Sequence, residues 1–132
     1  MGDALRVLVV EDEPTNREVA ELILIAEGHE VVSVGDGEAA LHLCLEERQK
    51  FDLILMDVLM PRLDGLEATR RLRADPATAG IPILCMSAKA SGSDRRAGME
   101  AGCDHYLLKP FRRAELLLAI GETLRLRGRA LK

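Results

Sequence analysis

Four polar anchors close four runs of apolar residues: Glu11-Asp12 after Leu5–Val10, Asp57 after Phe51–Met56, Ser87 after Ile81–Met86, and Lys109 after His105–Leu108. Short apolar runs separated by longer helix-like stretches read as buried parallel strands. In an open sheet of that kind the strand C-termini share one edge, where ligands bind. Three carboxylates, a hydroxyl and an ammonium gathered there would bind a divalent metal and handle a phosphoryl group. A carboxylate attacking phosphorus meets an anion, so charge must first be neutralised, and hard oxygen donors suit magnesium for that task.

Hydrophobic periodicity predicts the elements that must carry these anchors. Leu5–Val10 is strand one, and Glu11-Asp12-Glu13 leads to Pro14, a residue suited to a first helical turn. In that helix Val19, Leu22, Ile23 and Ala26 fall at i, i+3, i+4 and i+7 and predict one buried stripe, closed by Gly28. Glu30–Val34 is strand two. Asp36-Gly37 opens a helix that turns Ala39, Ala40, Leu43 and Cys44 inward and ends near Arg48. Strand three runs from Asp52 to Met56, Met60–Gly65 is a loop, and Leu66–Arg73 is a short helix. Asp75-Pro76 turns the chain, Gly80 precedes strand four, and Pro82 is tolerable near the start of that strand. Helix four, about Ser93–Ala101, contains Gly98 between Gly92 and Gly102 and is the weakest by propensity. The last helix buries Leu116, Leu117, Ile120 and Leu124. Five β/α units in strict alternation predict an α/β, doubly wound parallel sheet with helices on both faces.

At 132 residues the chain fits one domain, 1–132, with a core over about 5–127. A composition of 48% apolar and 30% charged residues excludes a disordered chain. Two Phe, one Tyr and no Trp leave an aliphatic core. The net charge of −4 and the lack of a Lys/Arg block argue against direct nucleic-acid binding. Arg125, Arg127, Arg129 and Lys132 are interleaved with Leu and Gly and read as a solvated last turn. Cys44, Cys85 and Cys103 are widely spaced and odd in number, without metal-ligand spacing. They predict free thiols in a reducing compartment, Cys85 an ordinary buried one, and no disulfide framework. The acidic pair Glu11-Asp12 comes too early for a signal peptide, and no apolar stretch approaches membrane-spanning length. A cytoplasmic location away from the membrane is therefore expected.

The same residues, in order, carry a family likeness. From Arg6 to about Leu126 the chain resembles a response-regulator receiver domain of two-component signalling, of the CheY-like, single-domain type. The segments that carry it are Leu8–Glu13, Asp52–Pro61, Asp64-Gly65, Met86–Ala88 and Tyr106–Phe111. The resemblance implies a flavodoxin-like sheet of five strands in the order 2-1-3-4-5, flanked by five helices. It implies a phosphoprotein in which Asp57 becomes a 4-aspartylphosphate, the phosphoryl group coming from a phosphohistidine on a sensor histidine kinase or histidine phosphotransfer protein. Glu11, Asp12, Asp57 and the backbone carbonyl of Leu59 would hold Mg²⁺, and Lys109 and Ser87 would meet the phosphoryl oxygens. Ser87 and Tyr106 would form the switch, with Tyr106 rotating from solvent toward the core. The surface of helix four, strand five and helix five, near Arg95, Arg96, Arg112 and Arg113, would then dock a target or a second copy as a homodimer. The family also implies a cis Lys109-Pro110 bond, and phosphate lifetime tuned at Leu59 and Lys89, where a bulky Leu59 impedes the attacking water. Such a protein is a phosphorelay switch rather than an enzyme. Neither its kinase nor its downstream target is indicated.

Other readings fit less well. Taken singly, Asp57 is an ordinary strand-end residue and Glu11-Asp12-Glu13 an ordinary acidic first turn. His29, His42 and His105 read as surface or packing residues. A flavodoxin-like cofactor carrier needs a Ser/Thr/Gly-rich phosphate loop after strand one, and here that loop is acidic. A phosphohydrolase with an aspartyl nucleophile commonly carries a second acid two residues on, where this chain has Leu59. A phosphorylation-independent pseudo-receiver predicts the loss of an anchor, and none is lost; it stays as the alternative because an intact site does not prove use. After Phe111 there is room for one closing helix, which fits a stand-alone receiver or a piece of a longer regulator.

Overall fold

The computed structural model describes residues 4–128. Along the chain it runs β1 (Arg6–Val10), α1 (Pro14–Ala26), β2 (Glu30–Val34), α2 (Gly37–Leu41), β3 (Leu53–Asp57), α3 (Gly65–Ala74), β4 (Ile83–Ser87), α4 (Gly92–Ala101), β5 (His105–Leu108) and α5 (Arg113–Leu126). The strands pair in parallel in the order β2-β1-β3-β4-β5, as the family resemblance implied. Alternate residues of each strand serve opposite faces. Leu8, Val10, Ile54, Met56, Ile83, Cys85 and Tyr106 pack with α2 and α3 on one side. Val7, Val9, Leu53, Leu55, Leu84 and Met86 pack on the other side against Ala20 and Leu24 of α1 and Leu116, Ala119 and Ile120 of α5. A strand covered on both faces must be apolar throughout, which explains the continuous runs in the sequence.

Two helices differ from expectation. In α1 the buried residues are Ala20 and Leu24, while Val19, Leu22 and Ile25 are 43%, 62% and 57% exposed. The helix is apolar on more than one side, so periodicity alone chose the wrong stripe. The second helix was expected to run on to near Arg48. Instead α2 ends at Leu41, a π-helical turn covers His42–Glu46, and Arg48 sits at φ 56°. Ala40 and Cys44 still face the core.

The reading of three free thiols is corrected as well. Cys85 and Cys103 are joined in a disulfide with their Cα atoms 6.1 Å apart. Their sequence spacing gave no sign of it, because the fold alone brings the α4–β5 turn against β4. Cys44 is free, and burial pushes its thiol up to about 11. Nor is the last turn simply solvated: the Arg127 guanidinium pairs with Asp104, while Arg125 pairs with Glu122. Arg129 and Lys132 lie outside the described residues. No described helix is long and apolar enough to cross a membrane.

At the sheet edge opposite the anchors, Arg73 ties several elements together. Its guanidinium donates to the carbonyls of Gly102 (2.9 Å), Ala79 (2.9 Å) and Ile81 (2.6 Å) and to Asp104 Oδ2 (2.8 Å). Removing it takes one of two arginines from the largely buried Asp104, which keeps Arg127 and the Ile83 N–H, and leaves three carbonyls without this donor. Arg73→Ala is therefore expected to lower the unfolding free energy by about 2–4 kcal/mol. Arg70→Ala, which breaks an exposed pair with Glu67, is expected to change it by about 0.5 kcal/mol or less. Urea unfolding followed by circular dichroism compares the two, and equal shifts would refute the clamp.

Candidate functional site

The strand order reverses direction at β1, whose neighbours are β2 on one side and β3 on the other. A crevice opens outside the strand ends at such a point. Val10 pairs in register with Met56, so Glu11 and Asp57 are the next residues out on adjacent strands. Asp57 pairs with Met86 and Ser87 with Leu108, which brings Ser87 and Lys109 to the same edge.

Local structure then aims the side chains. The Glu11 N–H donates to Val34 O (3.1 Å), and the Glu11 carboxylate accepts from the Glu13 N–H (3.2 Å). Glu13 itself caps α1 by accepting from the Asn16 N–H (2.7 Å) and takes no part in the site. Behind Asp57 the chain folds back sharply, with the Gly65 N–H donating to Val58 O (3.0 Å). A Cβ at Gly65 would overlap the Asp57 carbonyl, so this turn requires glycine. Asp64 caps α3 through the Glu67 N–H (2.9 Å). The Lys109 N–H donates to Ser87 O (2.8 Å), and the Lys109-Pro110 peptide is cis.

The carboxylates of Glu11, Asp12 and Asp57 come within 4.8 Å of one another, the first and last buried and Asp12 exposed. The Lys109 ammonium donates to Glu11 Oε1 (2.9 Å) and to Asp57 Oδ1 (3.2 Å). Burial and then repulsion from Glu11 push the Asp57 carboxyl up to about 7, against the pull of Lys109. Burial works against the charge on Lys109, but its bond to Glu11 and the charges of Asp57 and Glu11 outweigh that and raise it. Three carboxylates against one ammonium leave two negative charges uncompensated. The donors are all hard oxygens, so the residues fit a divalent magnesium ion. The Leu59 side chain is exposed at the rim.

Ser87 and Tyr106 lie on one chain of hydrogen bonds. Ser87 Oγ accepts from the Lys89 N–H (3.0 Å), and the Tyr106 hydroxyl donates to Lys89 O (2.7 Å). Tyr106 is packed inward at 4% exposure, the inward end of the expected rotation. Its ring fills the space a side chain would need at Gly98, where a Cβ would sit 2.8 Å from Cδ2. The Arg95 guanidinium lies 5.6 Å from the ring centroid.

The structure thus brings together Glu11, Asp12, Asp57 and Lys109, with Ser87 bonded through its carbonyl to the Lys109 backbone. The histidines stay out of the site: His29 Nδ1 accepts from the Leu5 N–H and His42 pairs with Glu47. Sequence reasoning missed three participants. The Lys89 backbone links Ser87 to Tyr106, and no side-chain pattern reports a backbone bond. Gly98 yields to the tyrosine, although its glycine was visible only as weak propensity. Arg17 donates to the Glu11 carbonyl (2.9 Å) from an unremarkable helical position.

The family model for the response regulator receiver domain matches residues 7–121. Among relatives, the DNA-binding response regulator MtrA of Mycolicibacterium smegmatis is 38% identical over 120 residues, covering 91% of this chain and 50% of that protein. The gliding motility regulatory protein of Myxococcus xanthus is 45% identical over 105 residues, 80% of this chain and 13% of that protein. The first of these is matched over about half of its length. Among solved structures, the receiver domain of the Pseudomonas aeruginosa sensor histidine kinase PA1611 has a magnesium ion coordinated in its active-site cleft. It superposes with a TM-score of 0.82 at 40% identity, covering 96% of this chain and 99% of that one. The Vibrio cholerae chemotaxis protein CheY4 superposes with a TM-score of 0.86 at 30% identity, covering 92% and 100%.

The crowded carboxylates make stability depend on pH. An acid whose pKa is raised on folding binds a proton more tightly in the native state. Its contribution to stability therefore falls as pH rises from about 4 through about 7 and is level beyond. With EDTA present, Asp57→Asn is expected to be about 1–3 kcal/mol more stable than the parent at pH 8 and little different at pH 4. Urea unfolding at the two pH values tests this, and an equal difference at both would show that the charge on Asp57 is not the source.

Proposed function

The chain belongs to the response-regulator receiver family, whose members are signalling proteins, and we propose that it is a phosphorylation switch with Asp57 as phosphoacceptor. The observation that carries this reading is the meeting of Glu11, Asp12 and Asp57 within 4.8 Å, with the Lys109 ammonium bonded to two of them. An Asp57 carboxylate oxygen attacks phosphorus. The phosphorus–nitrogen bond of a donor phosphohistidine breaks, and the imidazole nitrogen leaves with the electron pair. The donor is a sensor histidine kinase or a phosphotransfer protein. Glu11, Asp12, Asp57 and the Leu59 carbonyl would hold Mg²⁺, which supplies the positive charge that lets two anions approach. Lys109 is the protein's own cation beside the acceptor and turns its ammonium to the transferred oxygens. The Ser87 hydroxyl donates to one of those oxygens.

Output follows from the same bonds. When Ser87 turns to the phosphoryl group it releases or drags the Lys89 backbone, which also holds the Tyr106 hydroxyl. The surface of α4, β5 and α5 changes with it and meets a protein target or a second copy. The chain is a single receiver domain, 1–132, acting in the cytoplasm without direct contact with nucleic acid or membrane, and its chemistry is confined to its own phosphorylation and dephosphorylation. A groove of about 390 Å³, lined by Asn16, Val19, Ala88, Lys109, Pro110 and Phe111, lies beside the lysine that bonds Asp57 and offers the donor a docking place. Leu59, half exposed at the rim, impedes the water that would hydrolyse the aspartyl phosphate.

Intact mass spectrometry after incubation with acetyl phosphate and Mg²⁺ tests the central claim. The parent is expected to gain one phosphoryl group as acetate leaves; EDTA or Asp57→Asn should abolish the gain. No gain from acetyl phosphate or from a phosphohistidine donor would favour a phosphorylation-independent interaction module, and equal gain in both proteins would place the nucleophile elsewhere. For the rim, Leu59→Asn is expected to speed loss of the phosphoryl group by about 3-fold, roughly 0.7 kcal/mol of barrier. An unchanged decay of the phosphorylated mass would remove Leu59 from this role.

A further inference from the structure

The disulfide lies inside the switch region. Cys85 on β4 is the register partner of Tyr106 on β5. Cys103 sits in the turn between α4 and β5, its N–H donating to Gly98 O (3.0 Å) just after the left-handed Gly102. A Cβ at Gly98 would lie 2.8 Å from the Tyr106 ring and 3.9 Å from Cys103 Sγ, so the sulfur, the glycine and the ring share one pocket. The Cα separation of 6.1 Å is one that a disulfide spans without moving the backbone. The two cysteines are 18 residues apart, and the loop they close contains Ser87, Lys89 and all of α4. That helix is lightly held, with Gly98 and Ala101 its buried residues.

We propose that Cys85 and Cys103 form a reversible redox modification site that fixes the α4–β5 turn against β4 and holds Tyr106 inward. Disulfides that form in a reducing compartment are commonly transient and redox-sensing, which fits a receiver acting in the cytoplasm. Cys103, at 5% exposure against 0% for Cys85, is the thiol reached first when the end of α4 opens locally. The oxidant is hydrogen peroxide. The Cys103 thiolate attacks one peroxide oxygen, the O–O bond breaks, and the departing oxygen leaves as water, giving a sulfenic acid. The Cys85 thiolate then attacks that sulfur, the S–O bond breaks, and the second oxygen leaves as water. The two thiol protons end on the two waters, and the peroxide takes two electrons. A dithiol reverses the step by exchange. Cys44, free and lining a cavity with Arg48 and Phe51, serves as an internal control. The consequence for signalling rests on the switch reading above; the crosslink does not.

Tyr106 is the only tyrosine and the chain has no tryptophan, so its fluorescence reports this pocket alone. The full chain would be reduced with dithiothreitol, then treated or not with hydrogen peroxide, alkylated under denaturing conditions and weighed. After peroxide we expect one alkylated cysteine of the three, and a Cys85–Cys103 linked peptide. Acrylamide quenching of the native protein is expected to be about 2-fold weaker in the oxidised form than in the reduced form. Cys103→Ser, at a turn position, should take no crosslink and should quench like the reduced parent with or without peroxide. Three alkylated cysteines after peroxide, or a crosslink with unchanged quenching, would overturn the proposal. Neither readout uses magnesium or a phosphoryl donor, so failure here is separable from failure of Asp57 as acceptor.

Discussion

Three carboxylates held within 4.8 Å at the end of an apolar sheet are in conflict with their surroundings unless positive charge comes with them. Lys109 supplies one charge and no more. It reaches Asp57 and Glu11 from the end of β5, two places from β3 and three from β1 in the sheet, with its own N–H bonded to Ser87 O. The remaining imbalance is the one that the proposed divalent cation would offset before a phosphoryl group approached. An arrangement that was electrically satisfied by its own side chains would have no use for either. The pressure on Asp57 to take up a proton has the same origin as its bond to the Lys109 ammonium: burial beside a second carboxylate, which any nearby positive charge relieves.

Everything else in the fold bears on keeping that conflict in place. The parallel register between β1 and β3 puts Glu11 and Asp57 side by side, and a slip of one residue would turn one of them into the opposite face of the sheet. What forbids the slip is burial of both faces by aliphatic residues such as Leu8, Val9, Ile54 and Leu55, all fully buried. Gly65 lets the chain after Asp57 return so closely that no side chain fits. Arg73 ties the far edge by gathering three carbonyls from two segments, the α3–β4 loop and the α4–β5 turn, which links α3 to both.

Most of this was legible in the sequence, for a physical reason. Strands buried on both faces must be apolar, so the runs before Glu11, Asp57, Ser87 and Lys109 announced both the elements and the residues at their ends. The strand order and the matched receiver family came from the same segments. Legibility failed where signals were degenerate or distant. Helix α1 is apolar at Val19, Leu22, Ile23, Leu24 and Ile25, and a pattern that fits several stripes cannot choose one. The Cys85–Cys103 link, the Arg73 clamp and the Lys89 backbone bridge are contacts between segments far apart in the chain. They follow from tertiary closeness, which local periodicity does not encode. Gly98 was visible only as a helix-weakening residue; its reason, the Tyr106 ring against it, lies on another strand.

The bridge through Lys89 also sets how the molecule couples its parts. The Lys89 backbone donates to Ser87 Oγ through its N–H and accepts from the Tyr106 hydroxyl through its carbonyl, so one residue anchors both side chains and a turn of Ser87 would strain the tyrosine's anchor. The tyrosine in turn rests on Gly98 and beside Cys103, in a segment otherwise held by few buried groups. An element with so few buried residues is the kind whose packing a charge or a covalent link can tip, as the proposed switch requires. Coupling of this kind is reciprocal. Any contact that favours the inward tyrosine must favour the Ser87 position that goes with it by the same free energy. The apolar core beneath is filled by fully buried aliphatic residues, so a response of the proposed kind would fall on the edge and the helix where few residues are buried.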